Sequence, residues 1–262
     1  MSTKKHIQIY TLFSGSSGNC TYINCGGTEI LIDAGAYSRA TEKALNSLGS
    51  SLSSIKAVLV THEHSDHIKG LPVISGKYRI PVYAESACAL KIKGVEPFLL
   101  NTFTPGEEIE IGPVAVSSFR TFHDSGSCCG FVVKYSGHSF GYATDTGRLS
   151  DEIYQSLLPC SAVILEANYD RDMLFSGSYP HFLKLRIASD TGHLDNDRSA
   201  ELCAFLASHN TKRVLLSHLS AENNTPEAAL RAVQRSLADC SCQLSVDTAQ
   251  RFMPTELVDL YV

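Results

Sequence analysis

Thr61-His62-Glu63-His64-Ser65-Asp66-His67 brings three imidazoles and two carboxylates into seven consecutive positions. The run follows Ala57-Val58-Leu59-Val60, a short apolar segment that reads as a buried strand feeding a loop. In a loop or short turn, alternate residues converge on one point. His62 and His64 can then bind one metal ion, and Asp66 and His67 a second beside it. Imidazole combined with carboxylate suits Zn, Mn or Fe better than Mg or Ca. The plain alternative is a solvated polar turn. Three histidines this close, directly behind a strongly apolar strand, argue against it.

A site for two ions needs more ligands than this run supplies, and candidates stand further along the chain. His123 lies in TFHDSG, after a strand expected to end at Phe119. Asp145 lies in YATDTG, after the strand 139–143, and His218 in LLSHLS, after the strand 213–216. Each is a polar residue just past an apolar strand, where α/β sheets commonly build sites. Taken singly, each would more often be structural.

The composition bounds the rest. The 262 residues suffice for one large domain or two small ones, with 44% hydrophobic and 19% charged residues. Lys plus Arg number 22 against 27 Asp plus Glu, a formal charge of −5. That excludes a protein that coats nucleic acid through a basic surface, but not an enzyme with a local basic groove. No segment reaches the roughly 18 apolar residues of a membrane span. The N-terminus holds Lys4 and Lys5 but no apolar stretch of signal-peptide length. Nine cysteines form no CxxC pair, and the spacing of Cys20 and Cys25 fits no zinc ribbon. Reduced thiols in a cytoplasmic protein are the expectation. Of the ten histidines, His6, His138, His181 and His209 read as surface or turn residues.

Strands are expected at 7–13, 21–25, 29–33, 57–60, 80–83, 107–111, 114–119, 130–135, 139–143, 162–165 and 213–216. Helices are expected at 40–48, 85–92, 150–157 and 198–207. Another runs from Pro226, capped by Thr225, to about Leu237. Both halves of the chain read as strands followed by helices. The expectation is a two-layer sheet core with helices outside, in a single domain spanning 1–262.

The ordered set HxHxDH, later His, later Asp, final His resembles the metallo-β-lactamase fold superfamily, from Phe13 to His218. The resemblance implies a four-layer αββα sandwich of two mixed β-sheets with helices outside. It implies that His62, His64 and His123 hold one ion, that Asp66, His67 and His218 hold a second, and that Asp145 bridges them. Two divalent ions, Zn or Mn, would bring a bound water toward ionisation near neutral pH, and Asp66 could orient that water and accept its proton, leaving a hydroxide nucleophile. They would also shift the formal charge from −5 to about −1, so an acidic chain does not exclude a phosphate-bearing substrate.

Glu166-Ala167-Asn168 and the later Gly192-His193-Leu194 resemble the Glu and His pair of tRNase Z-like phosphodiesterases. There the Glu orients a His that protonates the departing oxygen, which would make His193 the general acid and Glu166 its orienter. With Phe13-Ser14-Gly15-Ser16-Ser17-Gly18-Asn19, Tyr179-Pro180 and EANYD, the chain looks like the WalJ/YycJ/VicX branch, associated with 5′-to-3′ exonuclease activity on DNA. It departs from that branch's EANHD and GHLSN at Tyr169 and Asp195. Lys184 and Arg186, two apart, could face phosphates from a strand-like segment; a solvated basic pair is the alternative. The GSSGN turn could present N–H groups to an anion, or simply connect two strands.

The resulting expectation is a dinuclear phosphodiesterase acting on DNA more than RNA. The 73 positions between Asp145 and His218 leave no room for the clamping domain that β-CASP nucleases insert there. The competing readings are an RNA-processing nuclease, a thioester or lactam hydrolase, and a binding protein that kept the fold without turnover.

Overall fold

The computed structural model describes residues 6–238 and 242–261. Lys4, Lys5 and Cys240 lie outside these described residues. The first half of the chain gives β1 (His6–Phe13), β2 (Cys20–Cys25), β3 (Thr28–Ile32), β4 (Ile55–Val60), β5 (Val82–Glu85) and β6 (Leu100–Phe103). The second half gives β7 (Glu108–Ile111), β8 (Val114–Arg120), β9 (Cys129–Tyr135), β10 (His138–Ala143), β11 (Ala162–Glu166), β12 (Arg213–Ser217) and β13 (Ser245–Thr248). The last strand, β14 (Thr255–Tyr261), returns to pair with β1. The helices among the described residues are α1 (Ser38–Ser47), α2 (Ser65–Ile68), α3 (Leu71–Tyr78), α4 (Ser86–Ala89), α5 (Asp151–Leu157), α6 (Arg171–Ser176), α7 (His181–Ile187), α8 (Asn196–Ser208) and α9 (Pro226–Ser236).

The strands form two mixed sheets, ordered β14-β1-β2-β3-β4-β5-β6 and β13-β12-β11-β10-β9-β8-β7. In each, an antiparallel meander gives way to parallel pairs: β3 with β4 and β4 with β5 in the first, β10 with β11 and β11 with β12 in the second.

Strand alternation builds the layers. Ile30 and Ile32 of β3 and Ala57 and Leu59 of β4 meet Ile164 of β11 and Leu215 of β12 in a core between the sheets. The residues between them, Leu31, Val58 and Val60, face outward onto Leu45 of α1 and Leu71 and Ile74 of α3. On the far side, Val163, Leu165 and Leu216 face Leu157 of α5, Leu206 of α8 and Val233 of α9. Strands buried on both faces read as unbroken apolar runs, which is why AVIL and VLL were legible. The result is a four-layer αββα sandwich, as expected.

Elements differ from expectation where local signals were weak. The strand expected at 80–83 starts at Val82, because Arg79 closes α3 in the left-handed region and Pro81 follows. The helix expected at 85–92 is only α4, with Glu85 accepting from the N–H groups of Ala87 and Cys88. The helix from Pro226 is capped by the Thr225 hydroxyl accepting from Ala228 N–H at 3.1 Å.

Candidate metal centre and cleft

Every strand that feeds the site ends at one edge of the sandwich. Asp33 follows β3, His62 follows β4, His123 follows β8, Asp145 follows β10, Glu166 ends β11 and His218 follows β12. β8 and β10 each run antiparallel to β9, so β8 runs the same way as the parallel strands β10, β11 and β12. The crevice beyond the carboxyl ends of parallel strands is where α/β sheets place ligands. Asp33, Asp145 and His218 all take left-handed backbone angles, with φ of 61°, 56° and 58°. Such conformations cost energy for residues other than glycine, and they persist where the surroundings fix them.

Residues 61–67 form an extended stretch, Thr61 to His64, followed by the first three residues of α2. His62 and His64 alternate along the extended part, while Asp66 and His67 sit on the short helix. Gly35 lets the turn after β3 press against α2, since a Cβ there would come within 1.6 Å of the Asp66 carbonyl oxygen.

Four groups of side-chain ligand atoms each lie within 4.8 Å of one another in this crevice: His62 with His64 and His123, Asp66 with His67 and His218, Asp145 with His62 and His67, and Asp145 with Glu166, His193 and His218. His67 Nε2 is 3.3 Å from Asp145 Oδ2, and His218 Nε2 is 3.9 Å from Asp66 Oδ2. Among the described residues, His62 Nε2, Asp145 Oδ2 and His218 Nε2 are buried and make no hydrogen bond. Buried polar atoms are nearly always satisfied. Three orphans in one cluster of imidazoles and carboxylates therefore fit a divalent cation.

The opposite ring nitrogens are occupied. His67 Nδ1 is 2.7 Å from Asp33 Oδ2, His62 Nδ1 is 3.0 Å from Thr61 Oγ1, and His123 Nδ1 is 2.9 Å from the Gly192 carbonyl. His218 Nδ1 is 3.1 Å from Glu166 Oε1. Thr61 Oγ1 in turn donates to Asp33 Oδ2 at 2.9 Å. An acceptor at Nδ1 fixes the proton there and leaves the Nε2 lone pair for an ion.

The two groups of candidate ligands differ electrostatically. Burial, reinforced by His67, holds His62 well below the ordinary histidine range, and burial likewise lowers His123. Both rings are thus neutral. Burial also opposes charge on His218 and His67, but carboxylates outweigh it. Asp145, Asp66 and Glu166 raise His218 to about 10, and Asp33 and Asp145 raise His67 well above its usual value. Burial disfavours charge on Asp145 too, yet His218 and His67 hold its carboxyl well below the usual range.

Glu166 is fully buried and joins the ligand cluster to the cleft. Its Oε1 lies 2.7 Å from His193 Nδ1, and its Oε2 accepts from Thr146 N–H at 2.9 Å and Leu194 N–H at 3.2 Å. Burial resists ionisation, but His193 and His218 bring Glu166 down to about 2. His193 lines an open cleft of about 300 Å³ with Ser16, His64, Asp66, Asp145 and Arg186.

The basic pair departs from expectation. Residues 181–187 are helix α7, not a strand-like segment. Lys184 is buried, its Nζ donating to the carbonyls of Phe175 at 2.8 Å and Gly177 at 2.7 Å. It therefore staples α6 to α7, two of its three N–H donors going to those carbonyls, and it is not among the residues that line the cleft. Arg186 does line the cleft, and its Nε donates to Asp124 Oδ2 at 2.6 Å. The GSSGN segment connects β1 to β2. Asn19 accepts from Gly15 N–H, and its Nδ2 lies 3.0 Å from His67 Nε2 and 3.3 Å from Asp66 Oδ2. The two departures from the branch motifs, Tyr169 and Asp195, form an isolated parallel bridge, and Asp195 caps α8.

Asp33 and Asp124 escape the sequence reading. Asp33 had the same signal as Asp145, a carboxylate just past an apolar strand. Asp124 adjoins a singled-out histidine, and its Oδ1 lies 3.4 Å from His123 Nε2 and 3.7 Å from His64 Nε2.

A family model described as a β-lactamase superfamily domain matches residues 28–219. The chain is 35% identical over 232 residues to exodeoxyribonuclease YycJ of Bacillus anthracis, covering 87% of this chain and 88% of that protein. It is 34% identical over 242 residues to exodeoxyribonuclease WalJ of Streptococcus pneumoniae, covering 90% of each. Among solved structures, the metallo-β-lactamase fold protein YhfI of Bacillus subtilis is similar with a TM-score of 0.74 and 16% identity, over 97% of this chain and 100% of that one.

Proposed function

The chain belongs to the β-lactamase superfamily, in the group of the YycJ and WalJ exodeoxyribonucleases, and on that premise we propose that it is a two-metal 5′-to-3′ exodeoxyribonuclease acting as a single domain. His62, His64 and His123 would hold one ion, Asp66, His67 and His218 the other, and Asp145 would bridge them. Zn or Mn fits this donor set. Bound there, the ions would supply charge neutralisation at the phosphate and a water ionised near neutral pH.

The chain's own residues divide the remaining work. Asp66 reaches the cleft and can take a proton from the attacking water. Arg186, anchored by Asp124, can hold a phosphate oxygen. His193 carries the reading. With Nδ1–H held by Glu166 at 2.7 Å, the imidazolium form of His193 carries its second proton on Nε2 and can give that one to the departing sugar oxygen. An alkoxide leaves poorly without that proton. The seven buried free thiols from Cys20 to Cys203 support a cytoplasmic location, and no described helix is long and apolar enough to cross a membrane.

The test incubates the Zn- or Mn-loaded protein with 5′- and 3′-labelled single- and double-stranded DNA and RNA, with a β-lactam control. Release of deoxynucleotides from the 5′ end, stopped by chelator, is expected. Turnover of RNA alone, or of the lactam without DNA cleavage, overturns the reading.

A further inference from the structure

Phe182 is a large aromatic left 73% exposed on the first turn of α7. An exposed aromatic ring offers a face on which a nucleobase can stack. It stands four residues before Arg186, so both side chains share one face of the helix, about 6 Å apart along the axis. Arg186 enters the cleft and donates through Nε and Nη2 to Asp124 Oδ2, while Asp124 Oδ1 approaches His64 and His123. Polar contacts thus run from Arg186 through Asp124 to His64 and His123, with Phe182 one helical turn from Arg186 on the same face. The guanidinium keeps other N–H donors for an anion.

The helix that carries this pair is fixed rather than loose. Lys184 ties it to the carbonyls of Phe175 and Gly177, and His193 N–H donates to the Ile187 carbonyl at 2.9 Å. Gly192 packs so closely that a Cβ would lie 2.1 Å from the Ile187 oxygen.

We propose that α7 holds one nucleotide of the substrate strand, with the base stacked on Phe182 and the neighbouring phosphate on Arg186. The inference rests on the nuclease reading and deepens it. A cleft of about 300 Å³ is at the small end of ligand-sized cavities and matches a single nucleotide. With one nucleotide held there and its base on Phe182, a paired terminus frays before cleavage. Stacking on Phe182 replaces the stacking that the terminal base gives up, and it tolerates every base because each has a π-face. The preferred substrate is an unpaired 5′ end.

The test measures binding of a 5′-labelled, phosphorothioate-linked oligodeoxythymidylate, which resists hydrolysis, to the metal-loaded protein. F182A is expected to weaken binding about tenfold, with F182W close to wild type. L185A, which removes another exposed side chain of α7 off the Arg186 face, is expected to change nothing. An abasic 5′ nucleotide should cost the wild type the same factor and cost F182A nothing further. On cleavable DNA, F182A should raise KM and spare kcat. Equal binding by F182A and wild type overturns the inference, as does conversion of a dimer to a monomer by F182A, which would make Phe182 a contact between copies. If the wild type cleaves DNA while F182A is indistinguishable from it, only this inference fails. If the wild type neither binds nor cleaves DNA, the nuclease reading fails with it.

Discussion

His67 Nδ1 lies 2.7 Å from Asp33 Oδ2, and both side chains are completely buried. Asp33 also accepts from Thr61 N–H at 2.9 Å and from the Thr61 hydroxyl. One carboxylate at the end of β3 thus orients His67 and anchors the stretch that carries His62. Asp33→Asn keeps the left-handed backbone angle, which Asn tolerates, but weakens the acceptor. It should lower affinity for the second ion about 10- to 100-fold, as loss of such outer partners does. Competition with a chromogenic chelator measures this; unchanged affinity would refute the role.

The two ligand groups should separate on titration. His64→Ala and His218→Ala should each lower the bound metal from about two ions to about one, counted by mass spectrometry of the dialysed protein. They should differ in pH dependence. A pKa raised to about 10 means that the His218 ring is protonated at pH 7, so an ion must displace a proton there. The subsite left in His64→Ala should therefore bind about tenfold more tightly per pH unit between pH 6 and 9 for each proton released. His62 and His123 are already neutral at pH 7, so the subsite left in His218→Ala should vary little above pH 7. Parallel pH profiles would contradict the distinction.

Lys184 should matter for stability and not for chemistry. Lys184→Met leaves the Phe175 and Gly177 carbonyls without their donor and should cost about 1–3 kcal/mol in urea unfolding. Metal stoichiometry should stay at the wild-type value. Full stability in this variant would mean that the two carbonyls are not held through Lys184.

The core strands and the residues that converge in the crevice were legible because each part wrote its own local signal. AVIL and VLL are apolar runs buried on both faces, and His62, His123, Asp145 and His218 stand just past such strands. The histidine pattern, and not the composition, carried the family. Helices α6 and α7 were not legible. Their stretch carries exposed Phe175, Phe182 and Leu185 in place of an apolar stripe, and it is held by the Asp170 cap of α6 and by Lys184. β13 and β14 are short or irregular, with half-exposed residues. Asp33 carried the same signal as Asp145, a carboxylate at the end of an apolar strand, but only the folded contact with His67, 34 positions away, shows what it does. The strand-like reading of 184–186 failed for the same reason as the missed helices: two basic residues at spacing two look alike in any element, and only tertiary contacts tell a buried staple from an open ion pair.

The most direct measurement compares His193→Ala with wild type on two phosphodiesters: DNA, and bis(p-nitrophenyl) phosphate, whose phenolate departs without a proton. If Glu166 holds His193 to protonate the leaving oxygen of a phosphodiester, His193→Ala should lose about 10²- to 10⁴-fold in kcat on DNA and less than about tenfold on the aryl ester, with both ions still bound. Equal losses on both substrates, or no loss on DNA, would contradict the account.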